Sequence, residues 1–295
     1  MSPALPGTTP ALYRSGIRPR HVGLRVDVIA TVTFSLGLLG FGLQAHAQSE
    51  SARTPPQSQA ISRLLTAYRD HIKDISEGEI HFRDGTAMAF NDGQAPKSHA
   101  AWLAHPDVED MLAQPYRPGP VTSPPGIDDE PGRARNAAFF AKIYGDCRTG
   151  DVSKKLVDVV WLPSRSGVKL KVTSVNGVAR RLRAVSRALD RLAPRFDIYL
   201  VPPAGTYSCR QIAGTQRLSA HGYGIAIDIA TSKADYWRWS KPGPGGQPRW
   251  RNRIPNEIVA IFEAHGFIWG GKWGHYDTMH FEFRPELLPP RAPLE

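Results

Sequence analysis

Two short stretches of the sequence carry side chains that can bind a metal ion. His221 and Asp228 lie seven residues apart in LSAHGYGIAIDIA, residues 218–230, and Asp277 and His280 lie three apart in DTMH. A carboxylate within an apolar strand is costly unless it is paired or bound to a metal. For the first stretch alone, a histidine–aspartate hydrogen bond in the core is the alternative. Two histidines and one carboxylate together form a sufficient zinc set that leaves one position for water.

The second stretch also supplies an acid for proton transfer. Asp277 precedes His280 by three residues, which is a suitable place for the general base of metal-assisted hydrolysis. Glu282 would share a strand face with His280, and it either orients that histidine or is itself the base. His275 is a further candidate ligand, with a position in a surface loop as the alternative.

The two stretches resemble the motifs of one enzyme family. SAHGYGIAID resembles the S-x-H-x-x-G-x-A-x-D signature of zinc D-alanyl-D-alanine carboxypeptidases, and DTMH resembles the acid-x-x-H element that closes the same site. That family includes the vancomycin-resistance D,D-peptidases and the L-alanyl-D-glutamate endolysins. The lead-in GFIWGGKW is most similar to the endolysin branch, which uses Asp as its base. The similarity covers about residues 196–288.

The resemblance implies a ligand set and a base. One zinc ion would be bound by His221, Asp228 and His280, and Asp277 would be the base. Ser219 matches the serine of the signature, where it would orient a ligand or the substrate; a role in a simple turn is the alternative.

The resemblance also implies an arginine, in a Tyr-Arg context before the first histidine, that stabilises the oxyanion or the substrate. Arg210 in GTYSCRQ is our candidate, although two residues separate it from Tyr207, and Arg217 is the alternative. Trp269 and Trp273 are candidates for lining the substrate cleft, with packing in the core as the alternative.

The N-terminus predicts export. Four arginines precede the apolar run 28–43, and AHA at 45–47 completes the pattern of a secretory signal that is cleaved after Ala47. A membrane anchor is the alternative, but the run has 16 residues and a bilayer needs about 20. We therefore expect a periplasmic or extracellular protein with no stable membrane span after cleavage.

Export affects how the two cysteines are interpreted. Cys147 and Cys209 are the only cysteines, and in an oxidising compartment they suggest one disulfide. Two separate buried thiols are the alternative. Two cysteines cannot form a cysteine-type zinc site, so a metal must use His, Asp or Glu.

The chain is basic. Removing residues 1–47 takes four arginines and one aspartate from a net charge of +10 and leaves +7. This charge suits an anionic envelope polymer or surface, or only a solvated exterior. The sequence contains no basic helix with interleaved aromatic residues, so we expect no nucleic-acid partner.

The pattern of apolar residues predicts an α+β fold, with a small, mainly antiparallel sheet, flanking helices and the zinc site in a cleft on the sheet. Residues 48–132 are predicted to form an N-terminal extension that ends in the Pro-rich linker 114–132, and residues 133–295 the peptidase domain. Predicted helices are 61–76, a short one from about Asp107, 133–145, 176–193 and 254–266. Predicted strands are 157–163, 168–175, 196–202, 226–229 and 279–283, with a hairpin over 80–90.

Together these features predict an exported zinc peptidase that hydrolyses the peptide stem of bacterial peptidoglycan, either as a carboxypeptidase or as an endopeptidase. The substrate class follows from the resemblance and not from the composition. The alternatives are a non-catalytic, zinc-containing module that binds the cell wall and a peptidase that acts on another peptide. Asp277 favours an enzyme, since a binding module has no need of a base.

Overall fold

The structure combines short helices with three small antiparallel sheets. This computed structural model describes residues 55–243 and 246–289, so the predicted signal peptide, residues 1–47, lies outside the described residues. The predicted α+β class is confirmed, but the strands form three separate sheets where we expected one. Within the described residues, no helix has the length and apolar character needed to cross a membrane.

The N-terminal region contains a helix followed by a three-stranded meander. Helix α1 (Pro55–Ala67) is followed by β1 (Ile72–Ser76), β2 (Glu79–Phe82) and β3 (Ala87–Ala89). The predicted hairpin over 80–90 is therefore confirmed, but the helix predicted over 61–76 is wrong beyond Ala67. The spacing of three between Ile72 and Ile75 suits a helix, but Ile75 pairs with Ile80 on β2, and a register shift between Ile72 and Asp74 lets the strand bury both isoleucines.

Two further short helices and an irregular segment follow. Helix α2 (His99–Ala104) was not predicted, whereas α3 (Val108–Leu112) begins, as expected, after Asp107. The Asp107 carboxylate accepts a hydrogen bond from the Asp110 amide, which caps the helix. Residues 114–132 contain neither helix nor strand, because their prolines lack the backbone donor that both need.

The middle of the chain follows the predicted pattern closely. Helix α4 (Ala137–Tyr144) precedes the antiparallel pair β4 (Leu156–Trp161) and β5 (Val168–Thr173). Helix α5 (Val178–Asp190) packs on β4 through a buried apolar stripe and leaves its basic face exposed. The buried members of that stripe are Val178, Leu182, Val185 and Leu189.

The strand predicted over 196–202 is wrong. A 3-10 turn at Pro194–Phe196 leads directly into the short helix α6 (Asp197–Leu200). Pro194 fits the first turn of a helix, and Pro202 cannot donate a hydrogen bond to a neighbouring strand. Residues at both ends of the segment therefore disfavour a β-strand. The Leu200 carbonyl instead accepts a hydrogen bond of 3.0 Å from the indole of Trp161.

A third sheet is built from the two sequence stretches that carry candidate ligands. Its strands are β6 (Ala226–Asp228), β7 (Phe267–Trp269) and β8 (His280–Phe283), in the order β6–β8–β7 and antiparallel throughout. Helix α7 (Asn256–Ala264) covers one face of this sheet, where the rings of Phe262 and Phe281 stack with centroids 3.8 Å apart. Gly266, at φ 93°, follows the end of α7 and turns the chain into β7.

The N-terminal region packs directly against this sheet. The Tyr116 hydroxyl donates to Glu263 on α7 at 2.6 Å, and the Trp273 indole donates to the Pro131 carbonyl at 2.8 Å. Residues 55–132 therefore share buried contacts with the part of the chain that carries the candidate ligands.

Cys147 and Cys209 form a disulfide that spans 62 residues of sequence. Because closing such a loop lowers the entropy of the unfolded chain, we expect the C147S/C209S variant to lose about 4 kcal/mol of unfolding free energy. Urea denaturation of both proteins measures this difference, and reduction of the wild type should reproduce it. Equal midpoints with and without reductant would contradict the prediction.

Candidate metal centre

Three side chains of the predicted ligand set converge at one end of the third sheet. Strand pairing places Asp228 directly opposite His280. His221 Nε2 lies 3.2 Å from Asp228 Oδ2 and 3.2 Å from His280 Nδ1, and His280 Nδ1 lies 3.0 Å from Asp228 Oδ1. One ligand atom from each of the three residues lies within 4.8 Å of the other two. The sequence prediction that these residues lie together is thus met by the geometry.

The turn between His221 and β6 depends on glycine. Residues Ala220–Tyr223 form a 3-10 turn that ends at Gly224, whose φ is 68°. A Cβ at Gly224 would lie 3.0 Å from both the Thr173 amide nitrogen and the Leu156 side chain. The left-handed backbone and the close approach of β4 and β5 both favour glycine here, and they bring His221 back over the strand that carries Asp228.

Each histidine has its second ring nitrogen fixed by an acceptor. His221 Nδ1 contacts the Thr206 carbonyl, and His280 Nε2 lies 3.1 Å from Glu282 Oε2. A histidine that donates one N–H to such an acceptor offers the other nitrogen as a lone pair. Both imidazoles are therefore oriented to present a donor atom to the same point.

Glu282 is fully buried and held by two arginines. Arg135 lies 2.9 Å from Glu282 Oε2, and Arg284 lies 3.1 Å from Oε1. Burial alone would raise the pKa of Glu282, but the charge of Arg135 and the hydrogen bond with His280 hold it well below its ordinary value. Glu282 is thus an ionised acceptor for His280, as the orienting role requires.

The donor cluster suits a cation. Burial opposes the charged forms of Asp228 and His280, yet hydrogen bonds with the two histidines hold the pKa of Asp228 well below its ordinary value. Hydrogen bonds with Asp228 and Glu282 raise the pKa of His280 to about 10. The three groups therefore stabilise a positive charge between them, either a proton or a metal ion. Two imidazoles and one carboxylate form a ligand set that suits zinc.

Asp277 lies beside the cluster in the same cavity, which measures about 290 Å³. Its Oδ1 is buried and makes no hydrogen bond with any described residue. Burial, reinforced by the charge of Asp228, raises the pKa of Asp277 to about 6 against the opposing charge of His280. A carboxylate in this state can accept and release a proton near neutral pH.

Of the three residues predicted to contact the substrate, two line the cavity and one does not. Ser219 lines the cavity, and its hydroxyl accepts a hydrogen bond from the His221 amide at 3.4 Å, so it caps the turn that carries His221. Trp273 lines the cavity, with its ring centroid 5.6 Å from that of His280. Trp269 lies outside the cavity lining, and we correct its predicted contact with substrate: its ring stacks on Phe281 and its indole donates to a backbone carbonyl.

His275, the further candidate ligand, and Arg217, the alternative to Arg210, both contact other residues. His275 lines the same cavity, but its Nδ1 lies 2.6 Å from Glu130 and it is not part of the ligand cluster. Arg217 donates to the Arg133 carbonyl at 3.0 Å. Arg210 is exposed and lines the cavity, which leaves its guanidinium available to a substrate.

Several residues that line the cavity were missed by the sequence analysis. Arg133 and Arg135 come from the start of the segment predicted as a helix, about 90 residues before His221. Arg133 pairs with Glu130 at 2.6 Å, and its guanidinium lies 5.3 Å from the centroid of the Trp273 ring. No local pattern marks these arginines, because only the tertiary fold brings them to the site. Tyr236, Trp237 and Trp239 line it as well.

Comparison with known proteins agrees with this geometry. Residues 213–283 match the family model described as D-alanyl-D-alanine carboxypeptidase. Over 72 residues, the chain is 38% identical to the peptidoglycan L-alanyl-D-glutamate endopeptidase CwlK of Bacillus subtilis (strain 168). This match covers 23% of the chain and 40% of the Bacillus protein, so the chain spans less than half of that relative. No solved structure matches significantly.

The contact between Glu282 and His280 predicts an indirect effect on metal affinity. We expect Glu282→Gln to weaken zinc binding by about 10- to 100-fold, because the neutral amide no longer holds His280 in one orientation with the same strength. Competition with a chromophoric chelator measures the affinity. Glu257→Gln, on the exposed face of α7, removes the same charge away from the site and should leave the affinity unchanged. Equal affinities in both variants would show that Glu282 does not orient the ligand.

Proposed function

We propose that this chain is an exported zinc peptidase that hydrolyses the peptide stem of bacterial peptidoglycan, because residues 213–283 match the family model described as D-alanyl-D-alanine carboxypeptidase. The observation that carries the proposal is one cavity in which a His221–Asp228–His280 donor cluster adjoins the unpartnered carboxylate of Asp277. The similarity to a peptidoglycan L-alanyl-D-glutamate endopeptidase supports the substrate class.

Each residue of the cavity has a role in the proposed hydrolysis. A zinc ion bound by His221, Asp228 and His280 would supply a Lewis acid that activates water and polarises the scissile carbonyl. Asp277 accepts the proton of the attacking water and returns it to the leaving amine, a role that suits a pKa of about 6. Glu282 keeps His280 oriented through its contact of 3.1 Å.

Cationic side chains in the cavity suit the charge that develops during hydrolysis. Arg210 reaches the cavity from the exposed loop after Cys209, and we assign to it the stabilisation of the oxyanion or of a substrate carboxylate. Arg133 adds a second guanidinium, which Glu130 and Trp273 hold in place. A peptide stem rich in carboxylates fits such a cavity.

Export is part of the same proposal. Disulfides persist mainly in oxidising compartments, so the bond between Cys147 and Cys209 supports a periplasmic or extracellular location. The predicted signal over residues 1–47 would direct the chain there.

Asp277 is the residue that distinguishes an enzyme from a wall-binding module. We expect Asp277→Asn to lower kcat/KM on purified muropeptides by about 10²- to 10⁴-fold, because general-base catalysis contributes this much, while zinc affinity changes little. Mass spectrometry of muropeptides digested with zinc-loaded protein provides the assay. Asp158→Asn, at an exposed position on β4, is the matched control and should retain full activity.

Each outcome of this assay has a distinct meaning. Muropeptides left unchanged by the zinc-loaded wild type would exclude the wall-hydrolase function. Full activity of the Asp277→Asn variant would exclude Asp277 as the base. Where cleavage occurs, loss of one terminal residue identifies a carboxypeptidase and two larger fragments identify an endopeptidase.

The arginine assignment has its own test. We expect Arg210→Gln to lower kcat/KM by about 10²- to 10³-fold, as for removal of one donor from an oxyanion site, with zinc affinity unchanged. The same assay on Arg217→Gln should show a much smaller loss of kcat/KM, because Arg217 does not line the cavity and instead donates a hydrogen bond to the Arg133 carbonyl. If Arg210→Gln is fully active and Arg133→Gln is not, then Arg133 has the role assigned to Arg210.

A further inference from the structure

A second cavity, of about 260 Å³, lies between α1 and the first turn of α5 and shares no lining residue with the metal centre. We call it the arginine cavity. Four of its lining residues are arginines and only one, Asp70, is acidic. The arginines are Arg63, Arg69, Arg180 and Arg181.

Two of these arginines have no partner. Arg180 and Arg181 make neither an ion pair nor a hydrogen bond within the described part of the chain, although Arg181 is half-buried. Burial, together with the charge of Arg180, lowers the pKa of Arg181. By contrast, the partly buried Arg165 lies 3.3 Å from the carboxylate of Asp190. Two adjacent guanidinium groups without a counter-charge are unfavourable, and an anion would relieve this.

The backbone adds positive potential at the same place. Helix α5 follows Gly177, at φ 72°, and has no side-chain N-cap and no acid in its first turn. A Cβ at Gly177 would lie 3.4 Å from an Arg180 guanidinium nitrogen, so this cation folds back over the helix N-terminus. The positive end of the helix dipole and a cation destabilise each other unless an anion lies between them.

Asp70 does not neutralise the cavity. It lies 3.9 Å from Arg69, and both side chains are more than three-quarters exposed, so this pair is a surface contact of little strength. Arg63 is held deeper, where its Nε donates to the Glu286 carbonyl at 3.3 Å. Apolar side chains, including Phe283 and Leu288, form much of the remaining wall.

We propose that the arginine cavity binds a phosphate group. The unesterified oxygens of a phosphate are tetrahedrally arranged, four with up to two charges in the free ion and two with one charge in a lipid diester, and they match several guanidinium forks at once. A planar carboxylate carries one charge and satisfies fewer of these donors. The phosphate is either a free ion or part of a lipid headgroup. This site is independent of the peptidase function proposed above.

Calorimetric titration with inorganic phosphate at constant ionic strength tests the proposal. We expect the R180Q/R181Q variant to bind phosphate at least tenfold more weakly than the wild type. The control variant R187Q/R191Q removes two exposed charges near the other end of α5 and should bind within twofold of the wild type. Phosphate should also raise the Tm of the wild type and of the control, but not that of R180Q/R181Q.

Three outcomes would overturn the proposal: no phosphate binding by the wild type, equal binding by all three proteins, or equally tight binding of acetate. Flotation with phosphatidylglycerol and phosphatidylcholine vesicles distinguishes the sources. Binding to phosphatidylglycerol that is lost in R180Q/R181Q identifies a lipid headgroup. If the wild type does not bind the vesicles, or if R180Q/R181Q binds them equally well, the ligand established by the titration is free phosphate.

Discussion

The candidate metal centre depends on one buried carboxylate. Glu282 has no exposed surface, and its oxygens lie within 3.2 Å of His280, Arg135 and Arg284. A carboxylate inside a protein is tolerated only where its charge is matched and its lone pairs are used. Because the arginines satisfy both conditions, Glu282 stays ionised and accepts a hydrogen bond from His280. The orientation of a candidate ligand therefore depends on cations from elsewhere in the chain.

These cations connect the family-matched segment to the residues around it. Arg135 precedes residues 213–283, and Arg284 follows them by one position. Arg284 continues the network to Glu286 at 2.5 Å, and Glu286 accepts a hydrogen bond from Tyr68, which directly follows α1, at 3.1 Å. The network thus extends from the candidate metal centre to the C-terminal end of α1. Residues 213–283 contain the candidate ligands, but the charged groups that surround these residues come from both sides of the segment.

The site residues that could be predicted from the sequence are those that lie close together along the chain. His221 and Asp228 are separated by one turn and a short strand, and Asp277 and His280 by a single turn, so their spacing is visible in the sequence. Arg133 and Arg135 have no such signature, because the fold alone brings them to the cavity. The strand predicted over 196–202 failed for a related reason. Phe196 and Leu200 are buried four residues apart, as on one face of a helix, whereas Ile198 between them is exposed, and the prolines around the segment oppose a strand.

The two acids beside the cluster differ because their surroundings differ. Glu282 has two guanidinium partners, which hold its pKa well below the ordinary value. Asp277 Oδ1 has no hydrogen-bond partner among the described residues, and burial raises the pKa of Asp277 to about 6. Paired carboxyl groups whose pKa values are displaced in opposite directions have different roles in a catalytic site. Glu282 is suited to constant ionisation and therefore to orienting His280. Of these two acids, only Asp277 is suited to exchanging a proton, which favours it over Glu282 as the proposed base.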